Sequence, residues 1–188
     1  MNIKKGILLL TLSLFAFGVF AQNISVGFIP PECGKNSIGA AMNKGFTIGL
    51  WTEAGYAGEK KNISVFLSAM YADYDNGDRN AQISANTGYI IGSGHRFQIH
   101  VNFLGLGVAY YQVGDTATNE SITSIVNDST VVEDKNISWH YNGSIQAKFY
   151  ITDYLAVYAG ATLSYGQHAY CYCDFGLSYT IKRIKRQK

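Results

Sequence analysis

Apolar and polar residues alternate along six stretches of the chain after residue 22. In the clearest stretch, 137–151, one set of alternate positions is apolar and the other is mostly small and polar. The apolar set is Ile137, Trp139, Tyr141, Gly143, Ile145, Ala147, Phe149 and Ile151, and the polar set is Ser138, His140, Asn142, Ser144, Gln146, Lys148 and Tyr150. Because successive side chains of a strand point to opposite faces, this period of two predicts strands with one apolar and one polar wall.

The strands of a soluble barrel also alternate apolar and polar residues. The composition of the polar faces therefore decides which kind of barrel the chain forms. Soluble domains average about 25% charged residues, many of them Lys and Glu on water-facing surfaces. Here charged residues make up 15% of the chain, and those on the polar faces are chiefly Glu53, Arg96 and Lys148. The remainder, largely Ser, Thr, Asn, Gln and Gly, suits the polar interior of a transmembrane β-barrel. A soluble, lipocalin-like ligand carrier is the alternative.

Eight strands fit into the chain, and their connections alternate in length. The predicted strands are 23–29, 45–57, 62–74, 81–91, 96–112, 136–151, 154–167 and 171–181. The first strand is short because Pro30 and Pro31 cannot continue a ladder. Connections 58–61, 92–95 and 152–153 are very short, whereas 113–135 is long, as in outer-membrane barrels. The sequence therefore predicts an all-β fold, an eight-stranded antiparallel up-and-down transmembrane β-barrel over residues 22–181.

The first 21 residues predict export. Lys4 and Lys5 precede an apolar run over 7–20 that ends at Ala21, so we expect a signal peptide over 1–21 that is cleaved before Gln22. No later segment has about 18 consecutive apolar residues, which a membrane-spanning helix needs. An exported chain of amphipathic strands is expected in the outer membrane of a Gram-negative bacterium, in contact with its lipid.

The charge of the mature chain is balanced, because 13 basic and 13 acidic residues remain after signal removal. Five of the basic residues lie in 182–188, which we interpret as a solvated basic C-terminal tail. We expect no direct binding of nucleic acid.

The barrel interior is the first candidate site. An eight-stranded barrel is just wide enough to be filled by its own side chains. Alternation places these polar residues inside: Glu53, Gln98, His100, His140, Gln146 and Lys148. They could form an ion path or a catalytic group, but buried polar groups are normally paired for structural reasons, so a packed polar network is favoured.

The long segment 113–135 is the second candidate site, because exposed loops carry most external contacts. It is polar and acidic, and its contact candidates are Asp115, Glu120, Asp128, Glu133 and Asp134.

Catalysis has little support in the sequence. Ser129, His168 and Asp174 could gather at the outer rim, but nothing fixes their spacing. Motifs for phosphate binding, His-Glu-x-x-His and Cys-x-x-Cys are missing, and no third ligand accompanies Cys171 and Cys173. We therefore predict a protein that is not an enzyme, with no cofactor and no metal site.

The three cysteines predict a disulfide. The first and last strands become neighbours when the barrel closes, which brings Cys33 near Cys171 and Cys173 in a compartment where disulfides persist. Cys171 and Cys173 are poor partners for each other because their side chains are roughly parallel on one strand. Either could bridge to Cys33, and three unpaired thiols are the alternative.

The layout resembles the TraO family of conjugal transfer proteins. The similar segments are the short strand 24–28, KGFTIG at 44–49, the turn EKKN at 59–62 and the hairpin FYITDYL at 149–155. The resemblance implies an accessory or scaffold role in a conjugative DNA-transfer apparatus, through contacts with other envelope transfer proteins. The alternative is a free-standing barrel for envelope stability or surface adhesion.

Overall fold

The computed structural model describes residues 22–56, 60–93, 95–113 and 137–181, and strands account for most of them. The strands are β1 Asn23–Ile29, β2 Gly34–Asn36, β3 Met42–Tyr56, β4 Lys60–Tyr74, β5 Arg79–Ile91, β6 Phe97–Gln112, β7 Ile137–Tyr150, β8 Leu155–Gly166 and β9 Tyr170–Thr180. No helix in these ranges is long and apolar enough to cross a membrane.

β1 closes the sheet into a barrel. It pairs antiparallel with β3 on one side and with β9 on the other, so that Ile24 lies opposite both Leu50 and Tyr179. From β3 to β9, each strand pairs antiparallel with the next one in sequence. The predicted eight-stranded antiparallel barrel is thereby confirmed, including the contact between its first and last strands.

β2 is a short continuation of β1 that the sequence interpretation did not predict. The segment 30–33 bulges out, with Glu32 at a φ of 62°, and β2 then resumes pairing with β9. The Glu32 amide also donates to the carbonyl of Met42 at 2.7 Å, which holds the bulge against β3. β1 and β2 together therefore form one interrupted strand of the eight.

The two faces of the wall are chemically inverted relative to a soluble protein. On β7, Trp139 is 76% exposed whereas the next residue, His140, is 1% exposed. The same alternation runs along the other strands, with apolar side chains outward and mostly polar side chains buried inside. We call the end where β1 begins and β9 ends basal, and the opposite end apical. Buried apolar side chains such as Met42 and Met70 gather in a cluster near the apical end.

A bulge in β6 changes the phase of the alternation. The pairing register of β6 shifts between Asn102 and Gly105, and the two residues between them, Phe103 and Leu104, are both exposed. Even-numbered residues face inward before the bulge and odd-numbered residues after it. A bulge bends its strand, increases the local right-handed twist and changes the direction in which the following side chains point.

The β2–β9 register decides which thiols face each other. All three cysteines are free and exposed. Lys35 lies opposite Cys171 and Gly34 opposite Tyr172, which brings Cys33 opposite Cys173. The Cys173 amide donates to the Cys33 carbonyl at 2.8 Å. Directly opposite residues of an antiparallel pair have Cα atoms about 4.5 to 5.5 Å apart, which a disulfide can span.

We expect Cys33 and Cys173 to form a disulfide in an oxidising compartment, leaving Cys171 free. The bridge closes most of the chain into a loop and would stabilise the barrel by about 4 to 5 kcal/mol in the chain-entropy model. Mass spectrometry of the unreduced protein should find the bridge in a Cys171→Ser variant and not in a Cys173→Ser variant. A bridge from Cys33 to Cys171 in the unaltered protein would contradict this pairing.

Candidate functional site

The polar residues predicted to face inward are all buried in the barrel interior. The exposed fractions are 5% for Glu53, 3% for His100, 1% for His140, 8% for Gln146 and 1% for Lys148. The structure brings only some of them together. His100 and Gln146 are opposite each other on β6 and β7, whereas His140 lies eight residues along β7 from Lys148, towards the apical end. The centre of the His140 ring is 6.4 Å from the centre of the Tyr170 ring.

Lys148 is held against aromatic rings in the basal half of the interior. Its Nζ lies 3.9 Å from the centre of the Trp51 ring and 5.8 Å from that of Tyr158. A buried ammonium over an aromatic face gains about 2 kcal/mol, which offsets part of its desolvation. The Trp51 ring in turn meets His100 edge to face at 4.7 Å, and a His100 ring nitrogen lies 3.1 Å from Gln98 Oε1.

Asp174 is the centre of a second cluster, near the middle of the barrel. Thr47 Oγ1 and Tyr158 OH both donate to Asp174 Oδ2, at 2.8 and 3.0 Å. A cavity of about 20 Å³ adjoins this cluster and is lined also by Gln146. That is room for about one water molecule beside the Asp174 cluster.

A third cluster surrounds Asp78 at the apical end. Asp78 Oδ2 accepts hydrogen bonds from Asn36 at 3.2 Å, from Asn76 at 2.7 Å and from the Tyr111 hydroxyl. Asn36 Oδ1 also accepts the backbone amides of residues 38 and 40, both at 3.1 Å. This cluster ties β2 and its following turn to β6. The His168 ring stacks on Tyr111 at 4.2 Å.

Asp174 is not at the outer rim, so it is not available there for the grouping with Ser129 and His168 that the sequence left open. Asp174 is 4% exposed and lies inside β9, where its carboxylate accepts from Thr47 and Tyr158. The alternation of β9, which puts Asp174 on the same face as Tyr170 and Tyr172, is the signal that could have placed it inside. Ser129 lies outside the described residues, as do the acidic loop candidates Asp115, Glu120, Asp128, Glu133 and Asp134, the signal segment 1–21 and the tail 182–188. Within the described ranges, no three His, Cys, Asp or Glu side chains are placed to hold a metal ion.

The outward face forms a second functional surface, an apolar belt between two rows of aromatic side chains. The basal row contains Tyr89, Phe97, Phe149, Tyr154 and Tyr179, and the apical row contains Tyr71, Tyr110, Trp139 and Tyr165. Between these rows, the outward positions of β3 to β9 whose side chains are described hold no charged residue, and Lys35 of β2 is exposed beside Cys171 near the apical end. Aromatic girdles that flank an apolar band are typical of outer-membrane barrels.

Gly27 makes room for the Asp174 cluster. A Cβ at this position would lie 2.0 Å from the Tyr158 hydroxyl and 2.3 Å from Thr47 Oγ1. We expect Gly27→Ala to lower the free energy of unfolding by about 1 to 3 kcal/mol, because overpacking forces these groups apart. Urea titration in detergent micelles, followed by tryptophan fluorescence, measures the change.

The matched control is Gly143→Ala, where the nearest atom to the new Cβ, the Asn102 carbonyl oxygen, is 3.7 Å away. This variant should be as stable as the unaltered chain or slightly more stable. Equal stability of the two variants would show that Asp174, Thr47 and Tyr158 are not packed as described.

No protein-family model matches the chain, and no curated protein matches it in sequence. Solved structures do match its fold. The outer membrane enzyme PagL is 14% identical with a TM-score of 0.50, and the match covers 82% of this chain and 97% of PagL. Neisserial surface protein A (NspA) is 9% identical with a TM-score of 0.54, and the match covers 85% of this chain and 95% of NspA. The N-terminal β-barrel domain of Pseudomonas aeruginosa OprF is 14% identical with a TM-score of 0.46, over 85% and 97% of the two chains. This chain has the fold of the small outer-membrane β-barrels PagL and NspA.

Proposed function

We propose that this chain spans the bacterial outer membrane as a filled, non-conducting barrel that acts through protein contacts and not by catalysis. The observation that carries the proposal is the inverted wall, with an uncharged apolar belt outside and buried polar side chains inside. In water such a belt would be a large exposed apolar surface, which soluble monomers rarely tolerate. In lipid it is the favoured outer face, and strands of 12 to 16 residues such as β6, β7 and β8 are long enough to cross.

The interior argues against transport as the function. The buried clusters around Lys148, Asp174 and Asp78 occupy successive levels from the basal to the apical end, and the mid-barrel cavity is about 20 Å³. A soluble ligand carrier would need an apolar lumen and a polar exterior, which is the reverse of this wall. The filled barrel is therefore best suited to anchoring its connecting segments at the membrane surface.

We propose that the anchored surface belongs to a conjugative DNA-transfer apparatus, in which the chain is an accessory or scaffold component beside other envelope transfer proteins. The resemblance of segments 24–28, 44–49, 59–62 and 149–155 to the TraO family supports this part of the proposal. A contact role also suits a chain with a long polar segment between β6 and β7, since loops carry most recognition surfaces.

An arginine in the middle of the belt should destabilise the barrel. Ile145 is 52% exposed on β7, midway between the aromatic rows. We expect Ile145→Arg to cost about 2 to 4 kcal/mol of stability in a bilayer, because lipid cannot solvate the charge. The neighbouring inward variant Ser144→Thr keeps the hydroxyl that accepts from Asn102 Nδ2 at 2.8 Å and should change little. Unfolding titrations in lipid vesicles measure both, and an unchanged Ile145→Arg barrel would refute the lipid-facing belt.

Deleting the gene should lower the frequency of plasmid or transposon transfer while resistance to detergents and large antibiotics stays normal. Transfer should return with the full chain, and it should not return with a chain shortened within 116–132 that still folds and reaches the same amount. Exposed connections tolerate such shortening, so the barrel itself should stay heat-modifiable on gels. A His168→Asn chain should restore transfer fully, since the proposal assigns no catalysis to that ring.

Other outcomes would overturn parts of the proposal. Normal transfer with a weakened envelope or reduced surface attachment would favour the free-standing barrel for stability or adhesion. Loss of transfer in the His168→Asn chain at normal abundance would argue for an enzymatic role. Full transfer with the shortened chain would move the contact surface to the basal side or to the tail 182–188.

A further inference from the structure

A small group of charged side chains lies on the outer face at the apical edge of the belt. Lys44 Nζ is 3.1 Å from Asp73 Oδ2, and Arg79 Nε is 3.3 Å from Asp73 Oδ1. The Tyr71 hydroxyl also donates to Asp73 Oδ1, at 2.8 Å. The side chains of Lys44 and Arg79 are 71% and 57% exposed, whereas that of Asp73 is 18% exposed. Two cations therefore share one carboxylate, and both present unused donors to the outside.

An apolar groove begins directly beneath these charges. In the strand register, Lys44, Asp73 and Arg79 form one row across β3, β4 and β5, and Phe46, Tyr71 and Ala81 form the row on their basal side. The groove has a volume of about 380 Å³, and its lining includes Phe46, Tyr71 and Tyr110.

Small residues create the depth of this groove. Ala69 and Ala81 form part of its lining beside the bulky rings, and Ile83 and Val108 continue it towards the middle of the belt. Tyr71 on β4 and Tyr110 on β6 have Ala81 of β5 between them, so the backbones that carry the two rings are two strand spacings, about 10 Å, apart. The groove thus runs from the row next to the charged side chains into the uncharged belt.

We propose that this groove binds a phosphorylated lipid of the leaflet at the apical end, with an acyl chain along Ala81 and a phosphate held by Lys44 and Arg79 on their exposed side, away from Asp73. The inference rests on the membrane placement proposed above. Arg79 approaches Asp73 with its Nε, and its side chain is 57% exposed, so its guanidinium can also donate to phosphate oxygens. Charge-assisted bonds of this kind are about twice as strong as neutral ones.

The charged row and the apolar groove together favour a lipid over a free anion as the ligand. A free phosphate would use the cations alone and leave the groove empty, whereas a lipid uses both surfaces at once. The net charge of the row, one more cation than anion, complements a phosphate and gives no advantage to a zwitterionic headgroup. A second outward groove is lined by Val26, Phe28, Val157 and Phe175, and the neighbouring outward rows of β8 and β9, Leu155 with Tyr179 and Ala161 with Cys173, hold no charged residue. That groove is therefore not assigned a headgroup.

The test is native mass spectrometry of the mature chain released from mixed micelles that contain phosphatidic acid and phosphatidylcholine with the same acyl chains. We expect phosphatidic acid to be retained in preference to phosphatidylcholine. Arg79→Gln should weaken that retention by about tenfold, the loss expected for a hydrogen bond to a charged group. Lys35→Gln removes the same charge from the apical end outside the groove and should leave retention unchanged. Ala81→Phe should fill the groove and reduce retention, whereas Ala161→Phe, on the outward face of β8, should not.

Several results would overturn the inference. Equal retention of the two lipids, or equal losses in Arg79→Gln and Lys35→Gln, would show that only general electrostatics act. Displacement of phosphatidic acid by inorganic phosphate would assign the cations to a free anion. A chain that inserts into vesicles and stays heat-modifiable but shows no selectivity refutes only the lipid site. A chain that does not insert refutes the membrane placement and the lipid site together.

Discussion

Backbone hydrogen bonding in an apolar surrounding is the constraint on which the rest of this molecule depends. A strand edge without a partner costs several kcal/mol per unsatisfied group in lipid, so a sheet can face lipid only if it has no edge. β1 meets the requirement by pairing with β3 and β9 at the same time. Where the two prolines interrupt β1, the bulge at 30–33 bonds to β3 and β2 resumes the ladder with β9. The three-residue β2 is short, but it keeps the seam paired near the apical end.

Closure also explains why the interior is polar yet packed. A barrel of eight strands leaves a lumen that side chains can fill, and the wall's period of two sends every second residue into it. Because the outward set is apolar, the inward set holds nearly all the polar groups, and these must satisfy one another. The bond from Thr47 of β3 to Asp174 of β9, and that from Asn36 of β2 to Tyr111 of β6, each connect strands that are not neighbours in the sheet. These hydrogen bonds across the lumen stabilise the barrel, as an apolar core stabilises a soluble domain.

The sequence predicted most of this fold because alternation is a local signal. β7, where the pattern is uninterrupted, lies within one residue of its predicted bounds, and the pairing of the first and last strands follows from closure alone. β2 was not predicted, because its three residues are too few to show an alternation of apolar and polar positions. The bulge at Phe103 and Leu104 was not predicted, because two adjacent apolar residues fit either face of the strand until the register of the partner strand is known.

The interior site was predicted as a set of buried residues but not as contacts. Alternation gives the face of Lys148, Gln146 and His140, whereas the ring beneath Lys148 depends on how β3 and β7 are staggered around the lumen. Asp174 could have been placed by the same signal, since Tyr170, Tyr172 and Asp174 are alternate residues of β9 and all three are buried. The groove below Lys44 and Arg79 was not predicted, because it depends on the register of four strands. No single stretch of sequence carries that information.

The central claim is that the apolar wall faces lipid and the polar wall faces a filled lumen. Nitroxide labels placed one at a time at positions 141–149 of β7, in a chain whose own cysteines are replaced by serine, test it most directly in lipid vesicles. The account predicts high collision rates with dissolved oxygen at 141, 143, 145, 147 and 149. It also predicts low rates with both oxygen and a water-soluble nickel chelate at the even positions between them. Strong collision with the nickel chelate at 145, or no alternation along the strand, would contradict it.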